Sequence, residues 1–168
     1  MNAKQIRDIL KHRYRLPKWA LFFEITEKLG INSIRRADAI AVSLTTPEIN
    51  IIGFEIKCNR SDWLNELKNP DKSNLFVNMC NEFYVVAPYD IINAEEIPTD
   101  WGHICPHHVR TLKKAPHRDI LDNTERLNLF LVLLRRAAFQ CEKFDAIQRI
   151  VDWSIYDLRK LDTIEQHG

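Results

Sequence analysis

The stretch Ile52-Gly53-Phe54-Glu55-Ile56-Lys57-Cys58 decides the fold of this chain, because it is typical of a buried strand that also carries one acid and one base. Successive side chains of a strand point to opposite faces. Phe54 therefore shares one face with the other apolar residues that follow it, whereas Glu55 and Lys57 share the opposite face. The charged pair is either an exposed salt bridge on a solvated sheet face or a metal ligand beside a catalytic lysine.

Composition indicates an ordinary globular protein. The chain has 168 residues, of which 45% are hydrophobic and 28% are charged, and this is enough for one domain with a proper core or for a domain with a helical appendage. The net charge of +1 neither requires nor excludes nucleic acid, since a binding patch can be local.

Location is also constrained by the sequence. No apolar run is long enough to span a bilayer, and the basic first residues lack the apolar core of a signal peptide. The four cysteines are scattered and show no CxxC pairing. We therefore expect reduced thiols in a cytoplasmic protein.

Hydrophobic periodicity before the central stretch predicts three elements. Residues 4–15 are typical of a basic amphipathic helix, either solvated or in contact with phosphate. A second helix is expected from Trp19 to about Leu29, with Glu24 at the margin of its apolar stripe. Residues 37–44 are typical of a strand that forms a hairpin with residues 50–58.

After the central stretch, the pattern predicts an alternation of helices and strands. A helix capped by Ser61 and a second helical piece from Lys72 to about Met79 lead to a buried central strand over residues 82–88. Residues 102–106 and 109–112 predict a terminal hairpin. From residue 123 onward the pattern is helical, with a strong apolar stripe formed by Leu127, Phe130, Leu131, Leu134 and Ala138. These helices could pack on the sheet, form a dimer face or bind a partner.

Two acids of the predicted hairpin are expected to converge. Asp38 begins a row of large aliphatic side chains, so it should point toward the core or a cleft edge, where a carboxylate needs a partner, a proton or a cation. Because neighbouring strands lie about 4.8 Å apart, Asp38 and Glu55 could share one ion. Such oxygen ligands suit Mg²⁺ or Mn²⁺. Either ion can lower the pKa of a water bound to it, and Lys57 can stabilise the charge that develops on a phosphodiester.

These residues resemble the PD-(D/E)XK, or restriction-endonuclease-like, superfamily, in which an acid is followed by an acid–x–lysine strand. Over residues 17–118 the sequence is more narrowly similar to the bacterial and phage MmcB-like DNA-repair nucleases. That similarity is carried by Arg36-Ala37-Asp38, by Phe54-Glu55-Ile56-Lys57 with Arg60-Ser61-Asp62 after it, by the run from Cys80 to Pro88, and by Ile97-Pro98 before Trp101-Gly102. The chain departs from the motif at Ala37, where a proline is usual.

The resemblance implies an α/β fold with a central mixed β-sheet flanked by helices and a helical C-terminal extension. We expect a nuclease-like core over residues 1–118 and the extension, packed on it, over residues 119–168. The resemblance further implies metal-dependent cleavage of DNA in DNA repair or phage-DNA processing. Carried over to this chain, it assigns the metal to Asp38 and Glu55 and makes Lys57 the catalytic lysine. Glu24 becomes an accessory acid that binds the metal directly or through a metal-bound water.

Other residues leave alternatives open. Arg35 and Arg36 could contact phosphate or pair with a nearby acid, and Lys68 could reach the same cleft or be solvated. A zinc site or simple solvent exposure would each account for a cluster of histidines with one cysteine, namely His103, Cys105, His107 and His108. The chain could also be an inactive nucleic-acid-binding adaptor or a protein-interaction domain, and a homodimer is a further expectation.

Overall fold

The computed structural model describes residues 1–26, 35–46, 48–69, 71–107, 109–119, 124 and 126–141. Helix α1 spans Ala3–Arg13, followed by strands β1 (Trp19–Thr26), β2 (Arg36–Ser43) and β3 (Ile51–Ile56). Helices α2 (Arg60–Leu67) and α3 (Asp71–Met79) then lead to strand β4 (Glu82–Val86). A short 3-10 helix (Ala94–Glu96), strands β5 (Gly102–Cys105) and β6 (Arg110–Lys113), and helix α4 over residues 126–141 complete the order.

The six strands form one mixed sheet in the order β1-β2-β3-β4-β5-β6. Strands β1 to β3 are antiparallel, β3 to β5 are parallel, and β6 returns antiparallel to β5. A parallel step from β3 to β4 needs a crossover connection, and α2 and α3 provide it. The predicted fold class, an α/β mixed sheet with helices and a C-terminal helical piece, is confirmed, as are both predicted hairpins.

The sheet has an aromatic face that packs against α1. Ile6 and Leu10 of α1 and Tyr14, which caps its C-terminus, belong to one buried cluster with Phe54 of β3 and Tyr84 of β4. The spacing of these three residues places them on one side of the helix, and the side chain of Asn2 caps its first turn. Helix α3 contacts β2 and β3. This arrangement confirms that β4 is a buried central strand, with Tyr84 in the core.

The helix predicted from Trp19 to Leu29 is wrong, because the structure has strand β1 over Trp19–Thr26. Trp19, Leu21 and Phe23 all pack against the buried cluster, which is a period of two rather than 3.6. The run of aromatic residues satisfies both periods, and pairing with β2 determines the outcome. Residues 27–30 lie outside the described residues.

One smaller prediction about the helices also needs correction. Helix α2 is capped by Asn59 rather than by Ser61, since the Asn59 side chain accepts a hydrogen bond from the backbone N–H of Asp62. In α4, Leu127 and Leu131 of the predicted apolar stripe are more than half exposed, whereas Leu129, outside that stripe, is buried. The helix is apolar on two sides, so its composition does not reveal the side that is covered.

The chain divides into two compact units, Met1–Val132 and Leu133–Gly168. The first unit contains the whole sheet. The predicted boundary after residue 118 and the predicted packing of the C-terminal extension stay predictions, because most of residues 119–168 lie outside the described residues. Among the helices that the structure describes, none combines the length and apolar character needed to cross a bilayer.

Candidate active site at the end of the central hairpin

The β2–β3 hairpin brings Asp38 and Glu55 to the same end of the sheet. Ala39 pairs with Phe54 in the antiparallel register, so the next positions outward are Asp38 and Glu55. The Oδ2 atom of Asp38 accepts a hydrogen bond from the backbone N–H of Ile56 at 2.7 Å. The carboxylate of Asp38 thus crosses to the neighbouring strand and is held beside the Glu55-Ile56-Lys57 segment.

Lys57 lies between two carboxylates. Its Nζ atom is 2.6 Å from Oε1 of Glu55 and 2.8 Å from Oε2 of Glu66. The side chains of Lys57, Glu55 and Glu66 are 10%, 14% and 12% exposed. The interpretation of Glu55 and Lys57 as a solvated surface salt bridge is therefore wrong. Burying such a group costs free energy that the pairing only partly returns.

Burial and mutual repulsion perturb the acids of this cluster. Burial raises the pKa of Glu55 to about 8, and the charge of Asp38 adds to this effect. Burial also raises the pKa of Asp38, although the hydrogen bond from Ile56 partly opposes the shift. Burial alone would lower the pKa of Lys57, but the charge of Glu55 and hydrogen bonds to Glu55 and Glu66 raise it above its ordinary value. Near neutral pH Glu55 therefore tends to retain a proton.

Glu66 is a member of this cluster that the sequence analysis missed. It lies on α2 three residues after Trp63, which is fully buried, and residues three apart share a helix face. Although burial raises the pKa of Glu66, hydrogen bonds from Lys57 and from the hydroxyl of Ser73 lower it below its ordinary value. The signal that could have found it is an acid in phase with a buried tryptophan, directly after the acid–x–lysine strand.

The oxygen donors of this cluster are of the chemical type that a hard divalent cation takes, although their present arrangement is not that of a metal site. When Asp38, Glu55 and Glu66 are ionised, three carboxylates lie near the ammonium of Lys57, and the charge of Arg7 acts on Asp38 as well. Mg²⁺ is commonly held by one or two carboxylates and keeps several waters, which matches Asp38 and Glu55. Within the described ranges, no group of three or more His, Cys, Asp or Glu side chains is arranged as a metal site.

Glu24 lies on β1 rather than on a helix, with a positive φ of 54°. Its Oε1 atom is 2.7 Å from Arg7 of α1, and its Oε2 atom is 3.8 Å from Arg36. Glu24 thus forms ion pairs with two arginines. Its role as an accessory acid stays a prediction without support from this geometry.

The predicted phosphate-contacting residues are all exposed. Arg35 directly precedes β2, and Arg36 makes the ion pair with Glu24 that was the alternative interpretation. Lys68 is the C-terminal cap of α2, two residues after Glu66. Their proposed contacts with nucleic acid stay predictions.

Among the described residues, the histidine and cysteine side chains near β5 form no group that could hold a metal ion. His103 is buried, and its Nε2 atom is 2.9 Å from the carbonyl oxygen of Ala87, so the expectation of a solvated histidine is wrong there. Cys105 is buried, His107 is exposed, and His108 lies outside the described residues. All four cysteines are free thiols, as expected.

A small cavity borders the cluster on the α2 side. It has a volume of about 100 Å³ and is lined in part by Trp63, Glu66 and Trp101. The rings of Trp63 and Trp101 are 6.3 Å apart. The indole N–H of Trp63 donates to Glu96 at 3.1 Å, so the helix that carries Glu66 is fixed to the 3-10 helix.

Comparisons with known proteins identify the fold and little else. No family model matches this chain, and no curated protein sequence matches it. A similar solved structure is the SPO1766 protein of unknown function from Silicibacter pomeroyi, which is 17% identical, with a TM-score of 0.59, over 85% of this chain and 88% of that one. At this identity the likeness shows a shared fold alone.

Proposed function

We propose that this protein is a metal-dependent DNA endonuclease that hydrolyses phosphodiester bonds in DNA repair or in the processing of phage DNA. The observation that carries the proposal is the convergence of Asp38, Glu55 and Lys57 at one end of the central hairpin. A surface salt bridge would not bury a lysine among three acids, two of which have raised pKa values. The resemblance to the PD-(D/E)XK superfamily supports the same assignment.

Each residue of the cluster has a distinct role in this proposal. Asp38 and Glu55 would hold Mg²⁺ or Mn²⁺, and the ion would supply Lewis acidity and a lowered pKa for water. Lys57 remains protonated because its pKa is raised, so it can donate hydrogen bonds to an anionic phosphate oxygen or orient the attacking water. Glu66 positions Lys57. The free thiols are consistent with work in the cytoplasm.

A nicking assay on plasmid DNA, with and without Mn²⁺ or Mg²⁺, tests the proposal. We expect metal-dependent cleavage that is lost in Glu55→Gln and in Lys57→Met. Matched controls are Glu95→Gln and Lys114→Met, since both residues are exposed and lie outside the cluster. The assignment would be excluded if the folded Glu55→Gln and Lys57→Met variants cut DNA at the rate of the wild type. It would also be excluded if the wild-type protein cut no linear, nicked or branched DNA with either metal.

A second candidate is a nucleic-acid-binding adaptor that keeps the fold but cuts nothing. The observation that favours it is that the polar groups satisfy one another: Asp38 binds a backbone N–H, and Lys57 binds two carboxylates. Salt-dependent DNA binding that is insensitive to EDTA, without heat on calorimetric titration with Mn²⁺, would identify the adaptor. Mn²⁺ binding that is abolished in Asp38→Ala would favour the nuclease.

A further inference from the structure

A basic groove lies at the C-terminal end of α1, apart from the acidic cluster. Its volume is about 800 Å³, and the wall is built mainly by residues 12–19, with Val109 on the far side. The ionisable residues that line it are His12, Arg13, Arg15 and Lys18, and none of the lining residues is acidic. In a chain whose net charge is only +1, this is a marked local concentration of positive charge.

Part of this charge has a structural explanation. His12 and Arg13 lie in the last turn of α1, where cations offset the negative end of the helix dipole. Arg13 also donates to the carbonyl oxygen of Val109 and to the hydroxyl of Thr111, both at 3.0 Å. These two residues therefore shape the groove, and their charge alone does not indicate a ligand.

Arg15 and Lys18 lie beyond the helix and lack this explanation. Both side chains are exposed, and within the described part of the chain neither makes a hydrogen bond or an ion pair. Between them in sequence, Leu16 is 71% exposed, and the partly buried ring of Trp19 also lines the groove. Two unpartnered cations thus flank an apolar surface that faces solvent.

We propose that this groove binds a single-stranded segment of DNA, with Arg15 and Lys18 on its phosphates and Leu16 and Trp19 against its bases. Charge along the backbone together with an aromatic surface for the bases is how single strands are held without sequence preference. A volume of about 800 Å³ is in the range of small-ligand sites, so the groove is of a size to take a short segment of a single strand. That the ligand is DNA rests on the proposed function. The inference deepens that function by naming a DNA form with an unpaired strand as the substrate.

The position of α1 relates the groove to the acidic cluster. Arg7 contacts Glu24 of β1, and β1 pairs with β2, the strand that carries Asp38. From Arg7 to the last helical residue, Arg13, the helix rises about 9 Å. A strand held in the groove would therefore lie within a few nucleotides of Asp38, which is suited to a flap, a bubble or a single-stranded tail.

Fluorescence anisotropy with a labelled oligothymidylate, in EDTA to prevent cleavage, tests the inference. We expect the double variant Arg15→Ala/Lys18→Ala to bind at least tenfold more weakly at low salt. The slope of log K against log salt should also become about 1.4 smaller in magnitude, because each phosphate contact on a single strand contributes about 0.7. Lys114→Ala, which removes an exposed lysine outside the groove, should leave both quantities unchanged. Thermal melts should show that all variants are folded.

Three outcomes would overturn the inference. The double variant could bind the oligothymidylate as tightly as the wild type does. A blunt duplex could compete for the protein as well as the unlabelled single strand, or anionic phospholipid vesicles could compete more strongly than it. Failure of this inference is distinguishable from failure of the proposed function. If the wild type cuts DNA and the double variant binds and cuts DNA equally well, the groove proposal is refuted and the nuclease proposal stands. Groove-dependent binding of the oligonucleotide without any metal-dependent cleavage refutes the nuclease alone.

Discussion

Glu66 of α2 holds the ammonium of Lys57 at 2.8 Å, and the same ammonium is 2.6 Å from Glu55. The other carboxylate oxygen of Glu66 accepts a hydrogen bond from Ser73 of α3. The lysine of the central strand is thus oriented by the two crossover helices as well as by its own strand. Its position depends on how α2 and α3 pack against the sheet, which makes Glu66 a positioning residue.

We predict that Glu66→Gln lowers the pKa of Lys57, because it removes a carboxylate that raises it. Lysine side-chain NMR, with Lys57→Arg to assign the signal, measures this pKa directly and does not require activity. If the protein cuts DNA, the rate should fall about 10–100-fold, as is typical when an outer partner is lost, and the alkaline limb of the pH–rate profile should move to lower pH. Glu95→Gln should change neither quantity. An unaltered Lys57 pKa in Glu66→Gln would contradict the assigned role.

The sequence was sufficient to predict the central hairpin and its charged pair because the alternation in β3 is clear. The hairpin prediction then placed Asp38 near Glu55, since antiparallel neighbours have a fixed register. Strand β1 could not be predicted in the same way, because Trp19, Phe22 and Phe23 fit a helical period as well as a strand that is apolar on both faces. Its identity is determined by pairing with β2, a non-local contact.

Glu66 escaped prediction for a different physical reason. Whether an acid on a short helix faces the sheet depends on the rotation of that helix, and α2 has only eight residues. Trp63 fixes this rotation, yet a single tryptophan does not define an apolar stripe. Likewise, the groove beside Arg15 and Lys18 forms only when Val109, which is distant in sequence, lies opposite residues 12–19.

Without metal, we predict that ionisation of Glu55 destabilises the folded protein. The pKa of Glu55 is raised to about 8, whereas an unfolded glutamate has a pKa of about 4.3. Between these values the folded state binds the proton more tightly, so stability falls as the pH rises from about 4 through about 8. Glu55→Gln removes this loss. The quantity to compare is the free energy of unfolding of Glu55→Gln minus that of the wild type, measured in EDTA. This difference should be roughly 2–4 kcal/mol larger at about pH 9 than at about pH 4.

Urea denaturation across this pH range measures the difference. Mn²⁺ provides the control, because a cation between Asp38 and Glu55 favours the ionised form. At about pH 8 it should raise the melting temperature of the wild type and leave that of Glu55→Gln unchanged. A difference between the two proteins that does not vary with pH would show that Glu55 has an ordinary pKa.

Gly53 admits the ring of Phe83 next to β3, and we predict that Gly53→Ala is destabilising. A Cβ atom at this position would lie 2.5 Å from Cδ2 of Phe83 and 2.9 Å from Sγ of Cys80. Phe83 is itself packed against Trp101, with ring centroids 4.7 Å apart, so it cannot move freely. The expected cost is about 1–3 kcal/mol. Chemical denaturation of Gly53→Ala, Phe83→Leu and the double variant should show coupling, and strictly additive effects would contradict the steric explanation.

Asn81 connects the start of β3 to the segment after β6, and we predict that its side chain is needed for stability. The Oδ1 atom accepts a hydrogen bond from the backbone N–H of Ile51 at 2.9 Å, and Nδ2 donates to the carbonyl oxygen of Arg118 at 2.9 Å. Asn81 and Ile51 are both buried, so Asn81→Ala leaves a buried N–H without a partner.

The expected loss for Asn81→Ala is about 1–3 kcal/mol in the free energy of unfolding, measured by urea denaturation. Asn78→Ala is the matched control, since Asn78 is an exposed residue of α3 and should change stability by less than about 0.5 kcal/mol. Amide hydrogen exchange adds a local measurement, because the N–H of Ile51 should lose protection in Asn81→Ala beyond what the global change explains. Equal stability of the two variants, with Ile51 still protected, would show that water or a rearranged loop satisfies this N–H.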